Sequence, residues 1–216
     1  MKAYCISGIG ANEMVFHHLD LNFEYTPIKW VPTDVSEQLT DYARKLCEQV
    51  DTSEKFVLIG VSYGGMLATE MNKYIQPEKT FLVSSIARRE ELPWILRVLG
   101  NLRLIYLTPW FLFGLPPFIV EWYFGVNTPN AKRMLREIMA GIDKKFTRLS
   151  VKKILEWINT EIAPNTIRIH GDKDRLLPVP LGLEYIELKN AGHFMIANRS
   201  DEVSEILNRE VAQIGE

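Results

Sequence analysis

FVLIGVSYGG, residues 56–65, is the stretch of sequence that decides the fold. Its first half, FVLIG at 56–60, is apolar throughout, as expected of a strand buried on both faces of a parallel sheet. A helical pattern follows from Tyr63 to about Ile75. Between the two lies Gly60-Val61-Ser62-Tyr63-Gly64, a Gly-x-Ser-x-Gly motif. A sharp strand-to-helix turn at this motif would expose the hydroxyl of Ser62 at the carboxyl edge of the sheet.

Strand and helix patterns alternate on either side of this motif, which predicts βαβ units and a parallel sheet. The expected strands are 4–7, 23–30, 56–60, 80–84, 166–171 and 185–188. The expected helices are 12–19, 36–50 with Ser36 as N-cap, 63–75 and one starting near Ser200. We therefore predict an α/β fold with a mostly parallel, doubly wound sheet of about six strands.

The alternation stops at Arg88, and residues 88–163 are helical or broken by proline. We predict a core formed by residues 1–87 and 164–216, with residues 88–163 as a helical insertion. Several aromatic side chains of the insertion are expected to line an apolar cavity, the alternative being that they only pack the insertion onto the core. These are Trp94, Tyr106, Trp110, Phe111, Phe113, Phe118, Trp122, Tyr123 and Phe124. An exposed apolar insertion could also form a homodimer interface.

The amino-acid composition excludes some classes of function for this chain. The 216 residues include 25 Lys and Arg against 27 Asp and Glu, and a net charge of -2 gives no electrostatic case for nucleic acid. Cys5 and Cys47 lack the paired spacing of a zinc site and are predicted to be reduced core thiols. The amino-terminal MKAYCISGIG does not resemble a signal peptide. We expect a cytoplasmic protein that acts on small molecules.

One segment bears on membrane association. Residues 104–120 form an uncharged, largely apolar run of the minimum length that spans a bilayer. Pro109, Pro116 and Pro117 would break a spanning helix into short pieces. We therefore expect no membrane association, with a membrane-surface role as the alternative.

A serine hydroxyl is a weak nucleophile, so Ser62 needs a base that a third group orients. Candidates follow two later strands, where ligands bind in open parallel sheets. GDKDRLLP at 171–178 follows the strand at 166–171, and Asn190-Ala191-Gly192-His193 follows the strand at 185–188. His170, which ends a strand, is expected to pack rather than to act.

Gly8-Ile9-Gly10 also resembles the start of a dinucleotide-binding fingerprint. Glu13 stands where the third glycine of that fingerprint should be, and its carboxylate would repel a pyrophosphate.

These motifs together resemble the α/β-hydrolase family along nearly the whole chain: SGIG at 7–10, GVSYGG at 60–65, GDKDRLLP at 171–178 and AGH at 191–193. The resemblance implies Ser62 as nucleophile, His193 as general base and then acid, and Asp174 as the carboxylate that orients the imidazole. In that family the acid falls in a Gly-x-x-Asp-x-x-x-Pro loop, which selects Asp174 over Asp172. We expect Asp172 to be a turn residue.

The SGIG loop resembles the family's His-Gly loop, which supplies an oxyanion donor. By position, the N–H groups of Ile9 and Tyr63 would bind the oxyanion. Ser7 stands where many members have His, so Gly8 or Gly10 is an alternative donor. The glycines could otherwise serve only the turn.

The resemblance implies a cofactor-independent serine hydrolase, without metal or organic cofactor, with residues 88–163 as a helical cap. Its expected substrate is a small to medium ester or thioester with an apolar portion. Acyltransferase, C–C hydrolase and perhydrolase chemistry use the same three residues and stay open. The alternatives from other classes are a ligand-binding or receptor-like module and a membrane-associated lipase.

Overall fold

A computed structural model describes residues 1–102, 116–180 and 182–215. Six strands form one sheet in the order β2-β1-β3-β4-β5-β6, and every neighbouring pair is parallel. The strands are β1 (Lys2–Ile6), β2 (Glu24–Pro27), β3 (Phe56–Val61), β4 (Lys79–Val83), β5 (Thr166–Gly171) and β6 (Ile186–Leu188). The predicted parallel sheet of six strands is confirmed.

Helices cover both faces of this sheet. They are α1 (Leu39–Cys47), α2 (Tyr63–Met71), α3 (Trp94–Asn101), α4 (Pro117–Phe124), α5 (Pro129–Ala140), α6 (Lys144–Glu156), α7 (Met195–Asn198) and α8 (Ser200–Ala212). One layer of helices packs on each face of the sheet, as strand β3 illustrates. Leu58 packs with α1 and α2 on one face, whereas Val57 and Ile59 pack with α8 on the other. Every residue of β3 is buried, as its uninterrupted apolar sequence predicted. Helices α3 to α6 lie between β4 and β5.

Two local predictions were wrong. Residues 12–19 contain only a 3₁₀ turn, Glu13–Phe16, capped by the Asn12 side chain. Helix α1 begins after Gln38, and Ser36 is not its N-cap. The N–H and Oγ of Ser36 both donate to Oδ1 of Asp34, at 2.8 and 2.6 Å. Ser36 therefore belongs to a turn before the helix, a role that competes with capping for the same side chain.

The apolar run at 104–120 falls mostly outside the described residues, as do Tyr106, Trp110, Phe111 and Phe113 of the predicted cavity lining. Trp94 and Phe118, which flank this gap on α3 and α4, are 66% and 68% exposed. Within the described ranges, no helix combines the length and hydrophobicity needed to cross a membrane. Cys5 is buried, Cys47 is half-buried, and both are free thiols.

Candidate active site

Ser62 lies at the turn from β3 into α2 and has a backbone φ of 53°. A positive φ is strained for a non-glycine residue and needs surrounding structure to hold it. The flanking glycines are required by close backbone contacts. A Cβ at Gly60 would lie 2.4 Å from the Gly64 oxygen, and one at Gly64 would lie 2.1 Å from the Ile6 oxygen. The motif therefore packs the turn directly onto β1 and leaves Ser62 partly exposed at the sheet edge.

Ser85 stabilises this strained turn, a role that the sequence analysis missed. Its Oγ donates to the backbone oxygen of Ser62 over 2.5 Å. A Cβ on Gly65 would lie 2.3 Å from the same Oγ, so the second glycine of Gly64-Gly65 leaves room for it. The available signal was the position of Ser85, which follows β4 at the edge where Ser62 follows β3.

His193 connects Ser62 to a carboxylate. Its Nε2 lies 3.0 Å from Oγ of Ser62, and its Nδ1 lies 2.8 Å from Oδ2 of Asp174. A carboxylate only accepts hydrogen bonds, so the neutral imidazole carries its proton on Nδ1 and leaves the Nε2 lone pair facing the serine hydroxyl. This is the tautomer that a general base for Ser62 requires.

Asp174 is buried and oriented by backbone as well as by histidine. Its Oδ1 accepts hydrogen bonds from the N–H groups of Leu176 and Leu177, each at 2.9 Å. Burial opposes ionisation, but the charge of His193 and hydrogen bonds from His170 and His193 hold the pKa of Asp174 well below its usual range. Asp172, the other acid of this loop, is exposed to solvent. The structure thus brings Asp174 to His193, as expected, and leaves Asp172 at the surface.

His170 contacts the same carboxylate, although we expected it only to pack. Its Nε2 lies 3.0 Å from Oδ2 of Asp174 and 2.8 Å from the Leu177 oxygen. Residues 170 and 174 lie at the end of β5 and in the following loop, which turns back so that the two side chains meet. Their proximity in sequence was a signal, but the fold of the loop decides the contact.

The SGIG loop lies beside Ser62. A Cβ on Gly8 would lie 3.4 Å from Cβ and 4.0 Å from Oγ of Ser62. Within the described part of the chain, the N–H groups of Ile9 and Tyr63 donate to no other residue. Tyr63 is the first residue of α2, where backbone N–H groups lack intrahelical partners. Within the described residues, both N–H groups are therefore without an acceptor.

Helix α4 contacts the loops that carry His193 and Asp174. The Phe124 ring meets the His193 ring edge-on at 5.4 Å, and the N–H of Phe194 donates to the Phe124 oxygen over 3.0 Å. The guanidinium of Arg175, next to Asp174, lies 4.4 Å from the centre of the Trp122 ring. Helix α4 therefore packs on His193 from one side of the site.

A cleft of about 1100 Å³ is lined by Gly10 of the SGIG loop, by the next residue Ala11, and by residues of α5 and α6. Its apolar lining includes Trp30, Val31, Met134, Ile138, Phe146 and Leu149. Neither Ser62 nor His193 is among the lining residues. The described aromatics that we expected to line a cavity, Trp94, Phe118, Trp122, Tyr123 and Phe124, do not line this cleft either. Trp30 and Phe146 supply its aromatic surface, with ring centres 5.2 Å apart.

Among the residues that the structure describes, no group of three or more His, Cys, Asp or Glu side chains is arranged to hold a metal ion.

Comparison with known proteins places the chain among hydrolases. A family model described as "Alpha/beta hydrolase family" matches residues 16–206. A thermophilic esterase from Thermogutta terrifontis is 15% identical, with a TM-score of 0.72 over 99% of this chain and 90% of that one. MenH from S. aureus is 14% identical, with a TM-score of 0.74 over 100% and 95%. A lipase-esterase related protein from Clostridium acetobutylicum ATCC 824 is 14% identical, with a TM-score of 0.69 over 96% and 93%. No curated protein shows significant sequence similarity to the chain.

Proposed function

The chain belongs to the α/β-hydrolase family, and from that premise we propose that it is a serine hydrolase of small to medium, largely apolar carboxylic esters or thioesters. The observation that carries this proposal is the continuous path from Oγ of Ser62 through His193 to Asp174, with distances of 3.0 and 2.8 Å. The esterases among the structural neighbours support ester chemistry.

In the proposed mechanism, Oγ of Ser62 attacks the substrate carbonyl while Nε2 of His193 takes its proton. Asp174 stabilises the imidazolium that forms. The oxyanion of the tetrahedral intermediate accepts hydrogen bonds from the N–H groups of Ile9 and Tyr63. His193 then protonates the departing alcohol or thiol, which leaves the acyl group on Ser62. Water, deprotonated by His193, attacks this ester, the carboxylic acid leaves, and His193 returns the proton to Oγ of Ser62. Every proton passes through Nε2 of one imidazole.

Residues 88–163 would act as a cap in this mechanism. Support comes from α4, whose Phe124 ring covers one edge of His193. The apolar part of the substrate would extend along the SGIG loop toward the cleft that Trp30 and Phe146 line. That cleft reaches Gly10, the next residue after the proposed donor Ile9. The free thiols Cys5 and Cys47 fit a reducing compartment, and we place the reaction in the cytoplasm.

A covalent probe tests the nucleophile directly. Wild-type protein, Ser62→Ala and the surface control Ser36→Ala are incubated with a fluorophosphonate and followed by intact mass. We expect one adduct on wild type and on the control, and none on Ser62→Ala. Hydrolysis of p-nitrophenyl esters from acetate to decanoate, measured in parallel, should show an optimum of chain length and should be lost in Ser62→Ala.

Turnover by Ser62→Ala near the wild-type rate would refute the assignment of the nucleophile. Absence of both labelling and turnover in folded wild-type protein would instead favour a ligand-binding module on the same fold.

A further inference from the structure

We propose that His170 is a positioning residue that holds the Asp174 carboxylate in the orientation that directs His193 toward Ser62. This inference rests on the proposed function, because it assigns His170 a role in that same site. Within the described residues His170 makes its polar contacts with Asp174 and Leu177 and none with Ser62, so its action is through Asp174.

The contacts of His170 determine which of its nitrogens carries the proton. Nε2 lies 3.0 Å from Oδ2 of Asp174 and 2.8 Å from the backbone oxygen of Leu177. An ionised carboxylate and a carbonyl are both acceptors, so Nε2 must be the donor to either of them. A single N–H shared by two oxygens links the Asp174 side chain to the backbone three residues later.

The hydrogen bond from His170 restrains the Asp174 carboxylate at Oδ2, which the backbone N–H groups do not bind. The N–H groups of Leu176 and Leu177 bind Oδ1, whereas His193 binds Oδ2. The terminal torsion of an aspartate side chain is broad and moves both oxygens together, so a hydrogen bond to Oδ2 further restricts the same torsion that the bonds to Oδ1 restrict. His170 binds Oδ2 from β5 while His193 binds it from the loop after β6. The oxygen that orients the general base is therefore held from two elements.

His170 is itself held firmly enough to do this. Its side chain is 2% exposed, and the Tyr185 ring meets the imidazole edge-on at 6.3 Å. The next residue, Gly171, contacts the His193 loop so closely that a Cβ there would lie 2.2 Å from the Ala191 oxygen. The end of β5 thus has no room to shift relative to the loop that carries the base.

Sharing Oδ2 also predicts a direction for the pH profile. The titratable groups that face this oxygen are His170 from β5 and His193 from the loop after β6, with Tyr185 behind His170. The hydrogen bond that Nε2–H of His170 donates reduces the negative charge that Oδ2 presents to His193. Without it, more of that charge acts on His193 and stabilises its protonated, catalytically inactive form. Removing the donor should therefore move the acid limb of the kcat/KM profile to higher pH.

The test compares His170→Leu with His170→Gln. The amide nitrogen of Gln can reach the position of the imidazole Nε2 and donate there, whereas Leu fills the space without a donor. For p-nitrophenyl butyrate we expect His170→Leu to lose about 10- to 100-fold in kcat/KM, the range for a hydrogen bond to a charged group. Its acid limb should rise by roughly half a pH unit. His170→Gln should stay within about fivefold of wild type, and the exposed control His17→Gln should be unchanged.

A proton NMR spectrum reads the same contact without turnover. The Nδ1–H of His193, bonded to Asp174, should give a downfield signal that shifts in His170→Leu and is restored in His170→Gln. Circular dichroism and the melting temperature check the fold of each variant. If His170→Leu does not fold, His170→Asn replaces it, because the shorter Asn amide does not reach Oδ2 and should lose activity where Gln retains it.

Equal losses in the Gln and the apolar or shortened variants, or an unmoved acid limb and NMR signal in His170→Leu, would overturn the proposal. Failure of the proposed function is distinguished by wild-type protein that neither labels with fluorophosphonate nor turns over ester, and the NMR comparison still decides the role of His170 in that case.

Discussion

A buried ion pair joins β5 to the 3₁₀ turn Arg89–Glu91, which follows β4, and leads to a specific prediction for stability. Arg168 on β5 donates through Nη1 and Nη2 to the two carboxylate oxygens of Glu91, at 2.7 and 2.8 Å. The same carboxylate accepts from the Ala87 N–H at 3.0 Å and from Nε of Arg88 at 3.1 Å. Glu91 is 4% exposed and Arg168 is 8% exposed. Removing the carboxylate would leave a buried guanidinium without its counter-charge.

We expect Glu91→Ala to lower the free energy of unfolding by about 3–5 kcal/mol, the usual result of removing one partner of a buried pair. With a urea m-value of about 2 kcal/mol/M, the unfolding midpoint should fall by roughly 1.5–2.5 M. The measurement is urea unfolding followed by tryptophan fluorescence at pH 7. Glu90→Ala is the matched control, since Glu90 is the exposed neighbour in the same 3₁₀ turn and should change stability by under about 0.5 kcal/mol.

Two further measurements distinguish the effect of the unpaired charge on stability from the effect of lost packing. Replacing both partners, Glu91→Leu with Arg168→Met, should recover most of the loss because no unpaired charge is left buried. Burial opposes ionisation of Glu91, but the bonds from Arg168 and Ala87 lower its pKa. The carboxylate therefore contributes its full stabilisation above the unfolded pKa of about 4.3 and loses it as the pH falls below. The gap between wild type and Glu91→Ala should shrink at acid pH. Equal midpoints for Glu91→Ala and Glu90→Ala at pH 7 would refute the reasoning.

Two other predictions concern the site. Gly64→Ala should abolish ester hydrolysis and strongly lower the free energy of unfolding, because its Cβ would lie 2.1 Å from the Ile6 oxygen. The control for stability is Gly141→Ala, where the nearest atom would be 3.6 Å away and urea unfolding should match wild type or show slight stabilisation. Phe124→Leu should lower kcat/KM about 2- to 10-fold by removing the ring edge from His193, since such ring pairs contribute about 0.5–1.5 kcal/mol; an unchanged rate would show that α4 does not support the base.

The positions of residues that follow successive strands could be predicted from the sequence. Ser62, Asp174 and His193 each follow a strand of a parallel sheet, so their strands alone place them at one edge. The glycines around Ser62 indicated that the backbone of this turn lies in close contact with other backbone, which leaves no room for a side chain. These signals are local in the sequence.

Roles that depend on how a loop turns could not be predicted in this way. His170 reaches Asp174 only because residues 171–174 turn back on β5. Ser36 fails as a cap because Asp34, two residues earlier, takes both of its donors. The aromatic lining of the cleft comes from Trp30 and Phe146, which are distant in sequence and meet only in the folded chain. Each case depends on which partner a side chain meets in the folded chain, and no periodicity in the sequence indicates that partner.

The separation of Ser62 from its base has a consequence for biosynthesis. The two residues stand 131 positions apart, with Asp174 between them in chain order. A ribosome therefore completes the serine turn long before it adds the imidazole, and a nascent or half-folded chain displays an unassisted hydroxyl. On the proposed mechanism, such a chain reacts poorly with any acyl donor it meets. The fraction of the protein that reacts with a fluorophosphonate at Ser62 would then measure the fraction that has folded completely, so the probe would report on folding of this chain.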